Sequence, residues 1–174
     1  MTETTPHTSE CAEIGALAEA HKKFEPFVGT FRAEVKMWMM GPDEPMVMAG
    51  TMTNTLELGG RYLYQDYKGD RADGPFPHFE GRGFWGYNTV LHTYEGFWID
   101  SASTFMMTES GEVDASGKVW TMVGVITNPE TGLPMQKKSI ITLKDRDHHT
   151  MESYLEGPDG KEVKTMEITY RRQR

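Results

Sequence analysis

The chain has a single cysteine, Cys11, which excludes an internal disulfide, and no C-x-x-C pair to hold zinc or run thiol redox chemistry. No apolar run approaches the ~18 residues of a membrane-spanning helix. The polar stretch from Met1 to Glu10 also lacks the basic and apolar regions of a signal peptide, so a cytoplasmic protein is expected. Basic residues are in deficit, 18 against 26 acidic for a net charge of -8, and their only cluster is the terminal Arg171-Arg172-Gln173-Arg174. Neither nucleic acid nor an anionic membrane is therefore expected as a partner. The commonest core-forming residues are scarce as well: Leu, Ile, Val and Phe together make less than about a fifth of the chain.

Thioethers and further rings fill that deficit, with 13 Met, 7 Tyr and 4 Trp among 174 residues. Methionine adapts to irregular cavities and aromatics bring large flat surfaces, a mixture that suits a pliable pocket or a methionine-rich core. The length fits one domain able to bury its own core. Residues 1–11, Thr-rich and without period, read as a disordered leader, and 12–174 as a single folded domain.

From Ala12 to Glu25, Ile14, Leu17, Ala18 and Phe24 fall at helical spacing with His21 on the same stripe. Pro26 disfavours helix at the residue before it, so one short helix is expected to stop there. Beyond Gly29 the period changes to two. Phe31, Ala33, Val35, Met37 and Met39 alternate with Arg32, Glu34, Lys36 and Trp38, which assigns the first set to a buried face. Further β-rich runs follow at 46–58, 61–69, 78–88, 92–100, 103–113, 118–127, 135–145, 148–156 and 162–171, separated by turn chemistry such as Leu58-Gly59-Gly60, Asp114-Ala115-Ser116-Gly117 and Gly157-Pro158-Asp159-Gly160. This is an all-β, up-and-down antiparallel meander of about ten strands. Left open, such a sheet would expose long edges, so closure into a barrel capped by the short helix is expected. A barrel of that strand number is wide enough to enclose a ligand.

Several separated segments carry a resemblance: Val28-Gly29-Thr30-Phe31, Glu34-Val35-Lys36-Met37-Trp38, Leu58-Gly59-Gly60-Arg61, Phe79-Glu80-Gly81-Arg82-Gly83, Trp98-Ile99-Asp100 and Met166-Glu167-Ile168-Thr169-Tyr170. Together they resemble a bacterial family catalogued as domain of unknown function 1579, over about residues 20–171. That family has no established activity to transfer. A broader likeness is to the calycin barrels, the lipocalin and fatty-acid-binding-protein group. Their first strand often opens with G-x-W, and their last strand offers a basic residue to that ring. Here Gly29-Thr30-Phe31 puts Phe in place of Trp, with Arg171 or Arg172 as the implied partner.

Gly81-Arg82-Gly83-Phe84-Trp85-Gly86 matches G-x-G-x-x-G but lacks the strand-helix context of a dinucleotide site, and reads instead as close strand approach beside bulky rings. Six histidines, His7, His21, His78, His92, His148 and His149, show no metal-ligand spacing, so no metal site and no cofactor are predicted. Haem is the alternative considered, because some calycin-like barrels bind it and one histidine suffices as axial ligand. Glu57, Glu80, Glu152 and Glu167 fall in strands where a solvent-facing role is the ordinary one, and no nucleophile-elbow pattern occurs.

The strongest constellation is aromatic and carboxylate. Tyr94, Trp98 and Asp100 share one face of a strand, and Trp85 and Tyr87 share a face of the run before it. An inward Asp100 would need a partner, with Arg82, Lys137 or a tyrosine hydroxyl as candidates; alternatively Asp100 opens the turn through Ser103. The expected function is binding of a small apolar or amphipathic molecule, lined by Met37, Met39, Tyr67, Trp85, Tyr87, Trp98, Met122 and Tyr154, with Asp100 and Arg82 as polar anchors. Two alternatives stand beside it. One is an isomerase- or lyase-type enzyme using carboxylate and tyrosine groups, and the other a self-filled barrel acting through surface contacts or as a homodimer.

Overall fold

The computed structural model describes residues 14–38, 44–71, 76–129, 131–157 and 159–174. A 3-10 helix (Glu19–Phe27) precedes β1 (Gly29–Met37), β2 (Met46–Glu57), β3 (Tyr62–Gly69), β4 (Glu80–Asn88), β5 (Thr93–Asp100), β6 (Met107–Val113), β7 (Val119–Thr127), β8 (Pro134–Leu143), β9 (His148–Glu156) and β10 (Glu162–Arg172). Each strand pairs antiparallel with its neighbour in the chain. The sheet closes where β1 pairs with β10, from Phe31 opposite Arg172 to Met37 opposite Met166. The expected ten-stranded meander is therefore a closed barrel with a helix at one end. The expected leader, 1–11, lies outside the described residues.

Period two sets the inner face. Phe31, Ala33 and Val35 of β1 are buried while Arg32 and Glu34 between them are exposed. Odd-numbered strands run away from the helix and even-numbered strands return, so five connections ring one mouth of the barrel and the tight turns gather around the helix at the other end.

The helix differs from expectation in position and in type. It starts at Glu19, runs through Pro26 and ends at Phe27. Its buried residues are His21, Phe24 and Phe27, at intervals of three. That interval places them on one face of a 3-10 helix, whose i and i+3 side chains eclipse, whereas Ile14 and Leu17 remain 64% and 51% exposed. Phe24 and Phe27 plug the barrel end against Leu63, Trp85, Tyr94, Trp120, Met122 and Ile141. The plug is pinned through its backbone: Asn54 Nδ2 donates to the Phe27 carbonyl at 2.8 Å and Tyr94 Oη donates to the Ala20 carbonyl at 3.2 Å.

Arg172 completes this end. Its guanidinium lies 4.4 Å from the Phe31 ring centre and donates to the Val28 carbonyl at 2.6 Å and the Pro26 carbonyl at 2.8 Å. Of the two arginines implied by the calycin likeness, Arg172 is thus the one on the ring. Gly29, at φ +125, lies so close to it that a Cβ would stand 2.5 Å from Arg172 Nη1, a position that only glycine fills.

Candidate functional site

Between the plug and the mouth lies a cavity of about 350 Å³. Met37, Met48, Met52, Met107, Met151 and Met166 line it, nearly half of the chain's 13 methionines. Trp85 lies toward the plug, Tyr67 and Trp98 flank the space, and Phe76, Phe79 and Phe105 come from the connections at the mouth.

Glycines on the neighbouring strands make room for the rings. Trp98 lies over Gly81 and Gly83, where a Cβ on Gly83 would stand 2.8 Å from Trp98 Cε3 and one on Gly81 would collide with the six-membered ring. Trp85 lies over Gly96, whose Cβ would stand 2.7 Å from Trp85 Cδ1, and Tyr67 covers Gly50. The G-x-G of β4 is therefore the bed of an indole ring, which accounts for the motif without any nucleotide.

The polar groups of the wall are few. Glu109 and Lys137 face inward from β6 and β8, each directly opposite Gly124 of the strand between them. Across that bare position Lys137 Nζ donates to Glu109 Oε2 at 2.7 Å and to Ser139 Oγ at 2.7 Å, and Ser139 donates to the same carboxylate oxygen at 2.9 Å. Both charged side chains are only 15% exposed. Glu109→Leu alone should lower stability by about 2 kcal/mol, because it strands the ammonium, and adding Lys137→Met should recover most of that loss. Urea unfolding of the two variants measures it, and a double variant no more stable than the single one would show that the pair is not what holds this wall.

Asp100, where β5 reaches the mouth, accepts from Trp98 Nε1 at 3.2 Å and from the Ala102 backbone N–H at 3.0 Å. None of the partners suggested by sequence, Arg82, Lys137 or a tyrosine, reaches it among the described residues. The two readings of Asp100 coexist, since one oxygen closes the turn and the other holds an indole in the wall. Burial pushes the Tyr67 phenol up to about 12, with Asp70 reinforcing and Arg32 opposing. It therefore stays a neutral donor at any physiological pH.

Of the residues named from sequence, Met37, Tyr67, Trp85, Trp98 and Asp100 come together on this cavity. Met39 lies outside the described residues. Tyr87 and Met122 face inward but belong to the plug: Tyr87 packs edge-on against His21 at 5.8 Å and Tyr94 at 5.0 Å, and Met122 is 1% exposed in the plug cluster. Arg82 and Tyr154 are corrected outright. Gly81 and Gly83 face inward, so strand parity turns Arg82 out toward Asp66 at 3.3 Å and Glu80 at 3.8 Å. His149 and Ser153 are buried on β9, so Tyr154 points out, where Lys138 and Lys164 lie 5.0 and 5.8 Å from its ring centre.

Sequence reasoning missed Met48, Met52, Gln65, Phe79, Met107, Glu109 and Met151, and offered Lys137 as a partner for Asp100 whereas it pairs with Glu109. Met52 and Gln65 could have been found by counting in twos from Gly50 and Tyr67. The Glu109 and Lys137 pairing could not, because it depends on a register across Gly124.

No histidine lines the cavity among the described residues. His21 belongs to the plug, while His149 is packed between Phe27, Phe31 and Tyr170. The wall does not fit a histidine-ligated haem. Nor does any cluster of three metal-ligating side chains occur among the described residues. Glu57 and Glu80 are exposed, and Glu152 and Glu167 share Lys164 on the outer face. No described helix is long and apolar enough to cross a membrane.

Fold and site together define a closed ten-stranded antiparallel barrel, plugged at one end by a helix and hollow toward the other. The chain belongs to the family described as protein of unknown function DUF1579, whose sequence profile matches residues 17–172. No protein of curated function matches it. Among solved structures it is similar to Rv2717c from M. tuberculosis, with a TM-score of 0.63 at 16% identity over 91% of this chain and 100% of that one. It is also similar to the S-type phycobiliprotein lyase from Guillardia theta, with a TM-score of 0.57 at 14% identity over 97% of this chain and 99% of that one. At such identities the likeness shows the fold.

Proposed function

We propose that this barrel binds a small, largely apolar molecule inside its cavity. The observation that carries the reading is the cavity itself: about 350 Å³ lined by six methionines and several rings, with a small number of polar groups at fixed places. That volume lies within the range of small-molecule sites. Trp98, Trp85 and Tyr67 are drawn back against glycines and leave the centre open. Methionine suits such a wall because its unbranched thioether follows an irregular ligand surface at little cost. The lyase neighbour is a barrel of the same fold, which agrees with a ligand-directed role but transfers no substrate.

Native mass spectrometry of the protein purified from its own host, followed by denaturation, should release a stoichiometric organic molecule. Trp98→Ala should then weaken its binding by about tenfold or more without unfolding the barrel, since a buried aromatic contact of about 1.5 kcal/mol or more is lost. Unchanged affinity would remove Trp98 from the site. If neither a co-purified molecule nor any member of a library of apolar probes binds, the reading fails.

A further inference from the structure

We infer that the molecule held in this cavity carries a cationic end, an alkyl- or arylalkylammonium, seated between the Asp100 carboxylate and the open face of the Trp98 ring. The inference rests on the binding reading above and narrows it to a chemical class.

The charges on the wall do not balance. Asp70, Asp100 and Glu109 line the cavity, and Lys137 is the one cation among the described residues that does so. Lys137 is already held by Glu109 at 2.7 Å. Asp70 is held by the fork of Arg32, whose Nη1 donates to it at 2.8 Å while Nη2 reaches its other oxygen. Asp100 has only neutral donors, the Trp98 indole N–H and the Ala102 N–H, and no cation forms an ion pair with it among the described residues. A carboxylate on a mostly apolar wall, with no counter-charge of its own, favours an occupant that brings one.

Trp98 supplies the second half of the seat. One face of the indole rests on Gly81 and Gly83, so the other is presented to the cavity. Aromatic faces are the negative pole of the ring quadrupole and attract ammonium groups, most strongly for tryptophan. The N–H donated to Asp100 directs that edge of the ring at the carboxylate, so π face and anion converge on one place near the mouth. Phe79 and Phe105 also line the cavity and offer apolar surface to the carbon substituents of an amine. The chain's net charge of -8 adds a long-range attraction for cations approaching the opening.

The same layout rejects an anion. A carboxylate entering the cavity would face Asp100 directly, and the charge of Lys137 is already neutralised by Glu109 at 2.7 Å, so the wall offers an anion no net attraction.

Three probes with one apolar body separate these cases: 4-phenylbutylamine, 4-phenylbutan-1-ol and 4-phenylbutyrate, titrated into the full chain at neutral pH by calorimetry. The amine should bind about tenfold tighter than the alcohol, and the carboxylate weakest of the three. Asp100→Asn should cut the amine's advantage over the alcohol to about twofold. A carboxylate that binds as tightly as the amine would overturn the charge assignment and leave the apolar cavity standing. An amine preference that survives Asp100→Asn would overturn the seat. Binding by none of the three would overturn this inference, and the cavity reading would fall with it once no co-purified molecule or other apolar probe binds either.

Discussion

Replacing Phe27 by alanine should lower the unfolding free energy by about 3–5 kcal/mol, the largest single-residue loss expected in this chain. Phe27 is 2% exposed and is the point where plug and barrel interlock, edge-on to Trp85 at 5.8 Å, Trp120 at 5.2 Å and His149 at 5.0 Å. Three rings on separate strands cannot all move in to fill the space, because each is held by its own ladder. The cost should therefore combine lost burial with a residual void. Guanidinium unfolding of the variant measures it. A loss below about 1 kcal/mol would mean that the plug is only loosely attached, and that the barrel end is closed by the strands' own side chains.

The second large effect is acid sensitivity centred on His149. Burial, reinforced by the nearby positive charge of Arg172, lowers the imidazole from 6.5 to about 3. Its ring stacks on Tyr170 at 4.3 Å and meets Phe27 and Phe31 edge-on, while buried Nδ1 has no hydrogen-bond partner among the described residues. The folded protein thus keeps this histidine neutral while the unfolded chain protonates it near its ordinary value. Stability from His149 is full above about pH 6.5 and declines as pH falls toward 3, by about 1.4 kcal/mol per pH unit over that interval. Carboxylates held low by ion pairs, such as Asp70 beside Arg32 and Glu152 beside Lys164, lose their contribution only below about pH 4. The interval between is where His149 is read. His149→Phe, which keeps a ring in the stack, should flatten the stability profile from about pH 6 to 4 by close to one proton. A variant with the parent's slope would show that the imidazole is not the group titrating.

Tyr170 and Tyr94 act at the opposite end of the scale, since burial pushes both phenols up. A raised phenol contributes stability that is complete below about pH 10 and is lost above it, as the unfolded chain ionises first. The interior of the barrel is thus arranged for uncharged rings at both extremes.

Much of this architecture was legible in the residues. Alternation at Phe31, Ala33 and Val35, and glycine-rich or aspartate-rich separators, mark strands and turns because a pleated chain with one buried face has no other way to be written. Trp98 and Asp100 could be placed on one face by parity alone. Arg82 and Tyr154 failed on the same ground, since parity says which residues share a face but not which face is inside. In β4 the inward face is the one with Gly81 and Gly83 under Trp98, while Gly86 on the outer face lies under Tyr62, so glycines beside rings did not by themselves decide it. The helix was misplaced because His21, Phe24 and Phe27 repeat every third residue, a 3-10 interval, while the eye follows the longer apolar stripe that begins at Ile14. The ion pair of Glu109 and Lys137 had no local trace at all. Its partners are separated by a whole strand, and only a three-strand register with glycine in the middle joins them.

The seam between β1 and β10 gives the chain an uneven folding route. Every other strand pair is a hairpin between neighbours, with a short search and a small entropy cost, whereas the contact from Arg172 to the Val28 carbonyl spans 144 positions. Nine local ladders can zip up as the chain emerges, but the ring stays an open ribbon until its last strand finds its first. Until then both unpaired edges are sticky, and neighbouring copies compete with the chain's own terminus for them. Arg172, which clasps the plug and the Phe31 ring at once, sits where that competition is decided: it is the latch of an intramolecular closure, and a chain shortened by a few residues at this end would lose the contest before it lost any of its core.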